Sequence, residues 1–276
     1  MKNEQIEAIR AAGIKIPSCP QVLADLQQVL LDPNSRNQVL ASLIGRDIKL
    51  SSTVFKIANS AAYASGGKKF VTIEQTVTVL GRQAIGNIAR LAALQLSLAG
   101  PDPRLAGFWD RSMDIAMLCS IVVEKAPNSG AFSSAQAFTA GLFHDCGVAV
   151  LIQHHRSYCH AFAEENQPVP DFLKQDETIG TSHCLVGQMI AREWNLPDFI
   201  YETIGFHHSP LAKVPKAGKM ATAALLMSMH IVNVKQKIRD TAWTEQRPAV
   251  ISELGLLDDS VEKFEHEVWA SFDVLH

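Results

Sequence analysis

The sequence predicts an almost wholly α-helical protein, and three observations carry that expectation. Apolar residues recur at three- and four-residue intervals through most segments, the pattern of a helix face turned to a core. No stretch alternates apolar and polar residues as a half-buried strand does. Capping residues, glycines and prolines fall mostly at the ends of the periodic runs. With 276 residues, 47% of them hydrophobic and 19% charged, the chain has the composition of a folded globular protein. It is long enough for one large or two ordinary domains.

Val22, Leu23, Leu26, Val29 and Leu30 give a first helix, Gln21 to Leu31, with Pro20 suiting its start and Asp32-Pro33 ending it. Ser35 and Gln38 read as a capping box opening a helix lined by Val39, Leu40, Leu43 and Ile44. Asp47 caps a third, in which Leu50, Val54, Ile57 and Ala58 recur. Asn59-Ser60-Ala61-Ala62-Tyr63 then leads into Ser65-Gly66-Gly67, a loop or turn signal, followed by Lys68 and Lys69. Thr72 and Gln75 form another capping box, before a helix carrying Ile73, Val77 and Leu80 that Gly81 stops. A longer helix follows, roughly Arg82 to Ala99.

Pro101-Asp102-Pro103 is the sharpest punctuation, and it divides the chain into an N-terminal helical part, 1–102, and a second helical part, 103–276, packed as one unit. The second part opens with a helix from Phe108 to Glu124, broken by Pro127 to Gly130. Ala137 to Ile152 reads as one central helix, apolar on nearly every side, with His144 and Asp145 in its middle. A polar-faced helix is expected from His154 to Glu165 and a turn at Gln167 to Pro170. Ser182 starts a helix carrying Val186, Met189, Ile190 and Trp194, and Leu196-Pro197 opens a short one leading to His207-His208. Pro210 and Pro215 bracket a loop. Ala221 to Val234 is an apolar helix, and Val261, Phe264, Val268 and Trp269 give a last helical face.

A net charge of −3 gives no global field for nucleic acid or anionic membrane, and no basic helix or aromatic platform supports nucleic-acid binding. The N-terminus lacks the apolar core of a secretion signal. The longest uncharged apolar run, Met220 to Val234, is too short to span a bilayer. A cytoplasmic protein is therefore expected. Five scattered cysteines without C-x-x-C suggest neither a disulfide framework nor a zinc knuckle. Cys146 and Cys184 each flank a histidine motif, which makes a thiolate ligand conceivable at either.

An adjacent imidazole and carboxylate can share one metal ion, so His144-Asp145 is the natural centre of any site. Two ligands do not make one. The further groups that could converge on them are His183, His207-His208, and His230 with Asn233.

Several motifs together resemble the HDOD family, the HD-related output domain of bacterial signalling proteins. They are Ile16-Pro17-Ser18-Cys19-Pro20, Asp47-Ile48-Lys49-Leu50, Ala58 to Tyr63, the Thr72 to Leu80 helix with Gly81, Phe108-Trp109, Ala137 to Val150, Trp194-Asn195-Leu196-Pro197 and His207-His208. The resemblance covers nearly the whole chain. It implies a multi-helical bundle related to HD phosphohydrolases, with an N-terminal helical subdomain added.

The same resemblance exposes a departure. Active HD phosphohydrolases hold their metal with a histidine one helix upstream, the central His-Asp and a later aspartate. Arg111 stands near the first position and Asn233 best matches the last, so an imidazole and a carboxylate are both replaced. A guanidinium that does not deprotonate would repel a cation and could pair with Asp145 instead. The related HD-GYP phosphodiesterases also have paired histidines at the place of His207-His208, but no Gly-Tyr-Pro occurs here.

These readings make the chain a signalling module that binds an unidentified protein partner or small ligand, with no phosphohydrolase activity, no catalytic residue and no cofactor expected. The degenerate cleft would be formed by Arg111, His144, Asp145, His183, His207, His208 and Asn233. The loop bearing Asn59, Ser60, Tyr63, Lys68 and Lys69 is the second candidate surface, with Asn59 and Ser60 alternatively capping or stopping a helix. The rival reading is a metal-dependent phosphohydrolase acting on a nucleotide or other phosphate ester, with His144, Asp145, His183 and His208 holding a divalent transition metal.

Overall fold

The computed structural model describes residues 9, 13–59, 70–98, 105–155, 157–158, 171–237 and 240–275, and no strand occurs among them. Contacts group the chain into two compact units, Pro17–Pro101 with the last two residues, and Asp102–Val274 with residues 1–16.

In the first unit, helices α1 (Gln21–Leu31), α2 (Asn37–Gly45), α3 (Ile48–Ala58) and α4 (Ile73–Leu80) pack around α5 (Arg82–Leu98). The alternation of small and branched residues along α5 explains its central place: Ile85, Ile88, Ala89, Leu91, Ala92, Ala93 and Leu94 are all buried. Asp47 caps α3 by accepting from the amides of Lys49 and Leu50, and Thr72 caps α4 through the amide of Gln75. Gly81 ends α4 at φ +84°, a conformation that a side chain would oppose.

The capping box expected at Ser35 is not formed. Helix α2 begins after Arg36 without a side-chain cap, and Ser35 Oγ is buried with no hydrogen-bond partner. A long-range contact prevails over the local motif: Arg82 donates to the Ser35 carbonyl at 2.8 Å and to the Val29 carbonyl, fixing the α1–α2 turn against α5.

The second unit contains α6 (Ala106–Lys125), α7 (Ser134–Phe143), α8 (Cys146–His154), α9 (Phe172–Ile179), α10 (His183–Glu193), α11 (Asp198–Phe206), α12 (Lys219–Lys235), α13 (Thr241–Leu254) and α14 (Val261–Leu275). Helix α7 packs on α6, α11 and α12, while α10 lies against α8 and α11. Residues of α6, α12, α13 and α14 share one apolar cluster that includes Leu118, Val122, Leu225, Met227, Trp243, Leu254 and Val268.

The central apolar segment is two helices rather than one. Helix α7 ends at Phe143, His144 keeps helical angles, and Asp145 turns to φ −106° and ψ 18° before α8 begins. The break therefore falls on the His-Asp pair itself. Ser134–His154 is long and apolar enough to cross a membrane by length and composition, but 83% of its most apolar window is buried inside the protein. The helix expected from His154 onward is also corrected, because α8 stops at His154 and His155 is extended. Most of its span, like Pro101-Asp102-Pro103, lies outside the described residues.

Candidate functional site

Three pieces of backbone deliver the site. The α7–α8 break supplies His144 and Asp145, the first turn of α10 supplies His183 and Cys184, and the end of α11 supplies His207 and His208. Close helix contact makes this convergence geometrically available. A Cβ placed on Gly147 would lie 2.0 Å from the His183 carbonyl oxygen and 2.7 Å from the Gly187 nitrogen, so only glycine lets α8 approach α10 this closely.

His144, Asp145, His183 and His207 are 2%, 8%, 0% and 1% exposed, so their polar atoms must be satisfied by protein or by a bound group. Each buried histidine is oriented through its Nδ1. That of His144 donates to the Gly141 carbonyl at 2.6 Å, that of His183 to Asp176 Oδ2 at 2.7 Å, and that of His207 to the Ile204 carbonyl at 2.9 Å. With Nδ1 committed, all three Nε2 atoms face the one carboxylate. They lie 3.0 Å from Asp145 Oδ2 for His144, and 3.4 and 3.2 Å from Oδ1 for His183 and His207. Anchored imidazoles presenting the second nitrogen to a common point are the usual orientation of metal ligands.

Around this core His183 Nε2 is 3.1 Å from His208 Nε2 and 3.4 Å from Cys184 Sγ, and Cys184 Sγ is 4.0 Å from His207 Nδ1. Ligand atoms of His183, Cys184, His207 and His208 all lie within 4.8 Å of one another. Asp145 Oδ1 and His207 Nε2 are buried without an aligned hydrogen bond despite their proximity. With Nδ1 carrying the proton, a neutral His207 presents a lone pair at Nε2, so two buried acceptors share one small space and the residues present suit a divalent metal between them.

The charges reinforce one another. Burial opposes ionisation of Asp145, but His144 and His207 outweigh it and hold the carboxyl well below the ordinary 3.8. Burial likewise opposes charge on His207, and the Cys184 and Asp145 anions reverse this, raising it well above 6.5. His183 is pushed up to about 9, its burial outweighed by the Asp176 hydrogen bond and by Cys184. Burial would raise the Cys184 thiol, yet His207 and His183 bring it down to about 6. Cys146 behaves oppositely: burial and then Asp145 push its thiol up, so it is a packed sulfur and not a thiolate.

Arg111 does not pair with Asp145 as expected. Its guanidinium is half-buried on α6, Nη1 is enclosed with no hydrogen-bond partner, and no ion pair joins it to the carboxylate. It acts through space: burial lowers its pKa, while Asp145 and Asp114 favour its charge. The three histidines, rather than Arg111, occupy the space around the carboxylate.

The HDOD domain family model matches residues 16–210, well over half of the chain. The chain belongs to the HDOD family. A solved HDOD domain protein of unknown function from Geobacter sulfurreducens is similar to it with a TM-score of 0.66 at 22% identity, covering 99% of both chains. A structure from Marinobacter aquaeolei VT8, named for signal transduction, gives 0.71 at 20% identity over 95% of this chain and 58% of its own. One from Shewanella amazonensis SB2B, named as a metal-dependent phosphohydrolase, gives 0.57 at 21% identity over 98% and 97%. A curated Treponema pallidum (strain Nichols) protein, itself uncharacterized, is 22% identical over 84% of this chain, which spans about half of that relative's length.

Within this HDOD chain the structure separates Asn233 from the histidine cluster. Its Nδ2 donates to Asp240 Oδ2 at 3.1 Å, beside His230, whose Nδ1 is 3.2 Å from the same oxygen. His230 stacks on Trp243 at 4.0 Å and its Nε2 lies 3.6 Å from Glu265. These residues join α12 to α13 and α14. The His230 hydrogen bond, working against burial, holds Asp240 below 3.8. The stability this adds is present above pH 3.8 and is lost as pH falls through the lower folded-state value. Asp240→Asn is therefore expected to cost about 1 kcal/mol at pH 7. Urea midpoints at pH 7 and pH 3 check this, the gap from wild type narrowing in acid.

One functional neighbour, Asp176, has no counterpart in the sequence reading. Asp176, near the end of α9, accepts from the His183 amide at 3.0 Å as well as from its ring, and from the Tyr158 hydroxyl at 2.6 Å. It caps α10 in place of Ser182, whose side chain makes no cap. The signal that could have found it is Gly180, an αL terminator three residues before His183, which folds the end of α9 back under the next helix. Of the residues expected to form a second surface, Asn59 is described: its side chain exchanges two hydrogen bonds with the Phe70 backbone. Ser60, Tyr63, Lys68 and Lys69 lie outside the described residues.

Proposed function

We propose that this HDOD chain is a cytoplasmic signal-transduction module that binds a protein partner or small ligand and does not hydrolyse phosphate esters. One observation carries the reading: the histidine cluster faces a single carboxylate, Asp145, and the half-buried guanidinium of Arg111 acts on that carboxylate through space with a fixed positive charge. Of the other acids near the cluster, Asp176 is engaged by His183 and Tyr158, and Asp114 acts on Arg111. Activating water on a metal for attack on phosphorus requires a cation held with an open position, and the Arg111 charge, which shares Asp145, disfavours such a cation at that carboxylate. The kinship with a structure named for signal transduction supports the same reading.

The purified chain, supplied in turn with Mn2+, Fe2+, Zn2+ and Mg2+, is expected to give no turnover of p-nitrophenyl phosphate, bis-p-nitrophenyl phosphate or cyclic di-GMP above that of metal in buffer. Turnover removed by Asp145→Ala would establish the second reading, a metal-dependent phosphohydrolase built on His144, Asp145, His183 and His208. The convergence of three Nε2 atoms on Asp145 favours that alternative. A metal bound there would act as a Lewis acid and source of hydroxide, with the histidines and Asp145 holding it.

A further inference from the structure

We propose that His183, Cys184, His207 and His208 bind one zinc-type divalent cation, with the Cys184 sulfur as a ligand. Zinc-type bonds of about 2.0–2.3 Å arranged tetrahedrally put neighbouring ligand atoms roughly 3.3–3.8 Å apart. The nitrogen–nitrogen separation of 3.1 Å between His183 and His208 and the 3.4 Å from His183 to Cys184 Sγ are already close to such edges. The full set, within 4.8 Å, needs only small side-chain adjustment to close.

A second observation points to the same space independently. His207 Nε2 is fully enclosed and lacks a hydrogen bond, as does Asp145 Oδ1 3.2 Å away. The orientation of His183 is set by Asp176, which leaves its Nε2 directed into the cluster. Cys184 is half-buried and His208 exposed, so the cluster opens to solvent on one side and a cation has a route in.

The sulfur determines what the site takes. Thiolate with imidazoles favours zinc-type and other soft cations, whereas Mg2+ and Ca2+ prefer oxygen ligands. Four protein ligands also complete the usual zinc shell without water. A cation so held would clamp the first turn of α10 to the end of α11, making metal occupancy a control on this face of the domain. It is therefore compatible with a module that does not turn over phosphate esters, and it does not depend on that reading.

Cobalt(II) titration of the full chain after chelator treatment tests the proposal by spectrum. One equivalent is expected to bind, with visible tetrahedral bands and a near-ultraviolet sulfur-to-cobalt charge-transfer band. Cys184→Ser is expected to abolish the charge-transfer band and weaken binding at least about tenfold; His208→Gln should weaken binding similarly yet keep that band. Circular dichroism establishes that each variant is folded. Wild type without saturable Co2+ binding overturns the proposal, with no variant needed. A spectrum unchanged by Cys184→Ser overturns it too, placing the cation on His144 and Asp145 instead. Phosphate-ester turnover with the sulfur band intact would sink only the non-hydrolytic reading, and a missing band without turnover only this one.

Discussion

Gly147→Ala is expected to destabilise the protein by about 3 kcal/mol or more, because the new methyl group has nowhere to go. Its Cβ would sit 2.0 Å from the His183 carbonyl oxygen, 2.7 Å from the Gly187 nitrogen and 2.9 Å from the His183 carbonyl carbon. All three are backbone atoms of α10, so no rotamer change relieves the clash. The helices must separate, and because His183 is the first residue of α10, separation also pulls its ring from Asp145. Gly107→Ala is the control. It lies in α6 with nothing within 4 Å of the added carbon, and alanine there is expected to be neutral or to stabilise by up to about 1 kcal/mol. Denaturant midpoints of the two variants against wild type decide the matter, and equal midpoints would refute the close-approach account.

Asp176→Ala is expected to cost about 3–5 kcal/mol, since one buried carboxylate accepts three hydrogen bonds and the substitution removes all three. The Tyr158 hydroxyl and the first amide of α10 would be left enclosed, and the His183 ring would lose the contact that sets its orientation. Asp176→Asn should be milder, because a carbonyl oxygen still serves part of that set. Thermal denaturation gives the stability loss, and the chemical shifts of the His183 ring nitrogens report the orientation separately. A variant as stable as wild type, with unchanged ring shifts, would remove Asp176 from its positioning role.

Much of the helical frame was legible because periodicity and caps are local. The runs that became α1, α3, α4 and α5 carry their apolar face and boundary residues within a dozen positions, and Asp47 and Thr72 cap as their spacing implies. The errors arose where a distant residue or an absent contrast decided the outcome. Ser35 lost its cap to Arg82, 47 positions away. Helix α13 has no counterpart in the sequence reading: Pro248 lies inside it, and its buried face of Trp243, Val250, Ile251 and Leu254 is sparse at its start. The break at His144-Asp145 is invisible to periodicity, since α7 and α8 are both apolar around most of their circumference.

The site was legible by residue type and not by grouping. Histidine motifs mark His144, His183, His207 and His208, and the structure brings their helices together. Asn233 and His230 share the same spacing logic but turn to Asp240, because the register of α12 against α13 is set by packing around Trp243. Cys184 could be noticed only as a neighbour of His183. That its sulfur joins the cluster while Cys146 packs away from it depends on which side of two touching helices each one faces.

The broken apolar rod also has a consequence for how the chain is made. Its two halves end at His154, whereas α10 and α11, which cover α8 and part of α7, are complete only at Phe206, 52 positions later. At synthesis rates of about 5–20 residues per second, the most apolar stretch of the protein waits roughly 3–10 s for its cover. During that interval a nascent chain carries a sticky, half-finished surface next to the residues that later form the cluster. Translation through Phe206 covers α8 and part of α7, and α12, complete at Lys235, covers more of α7.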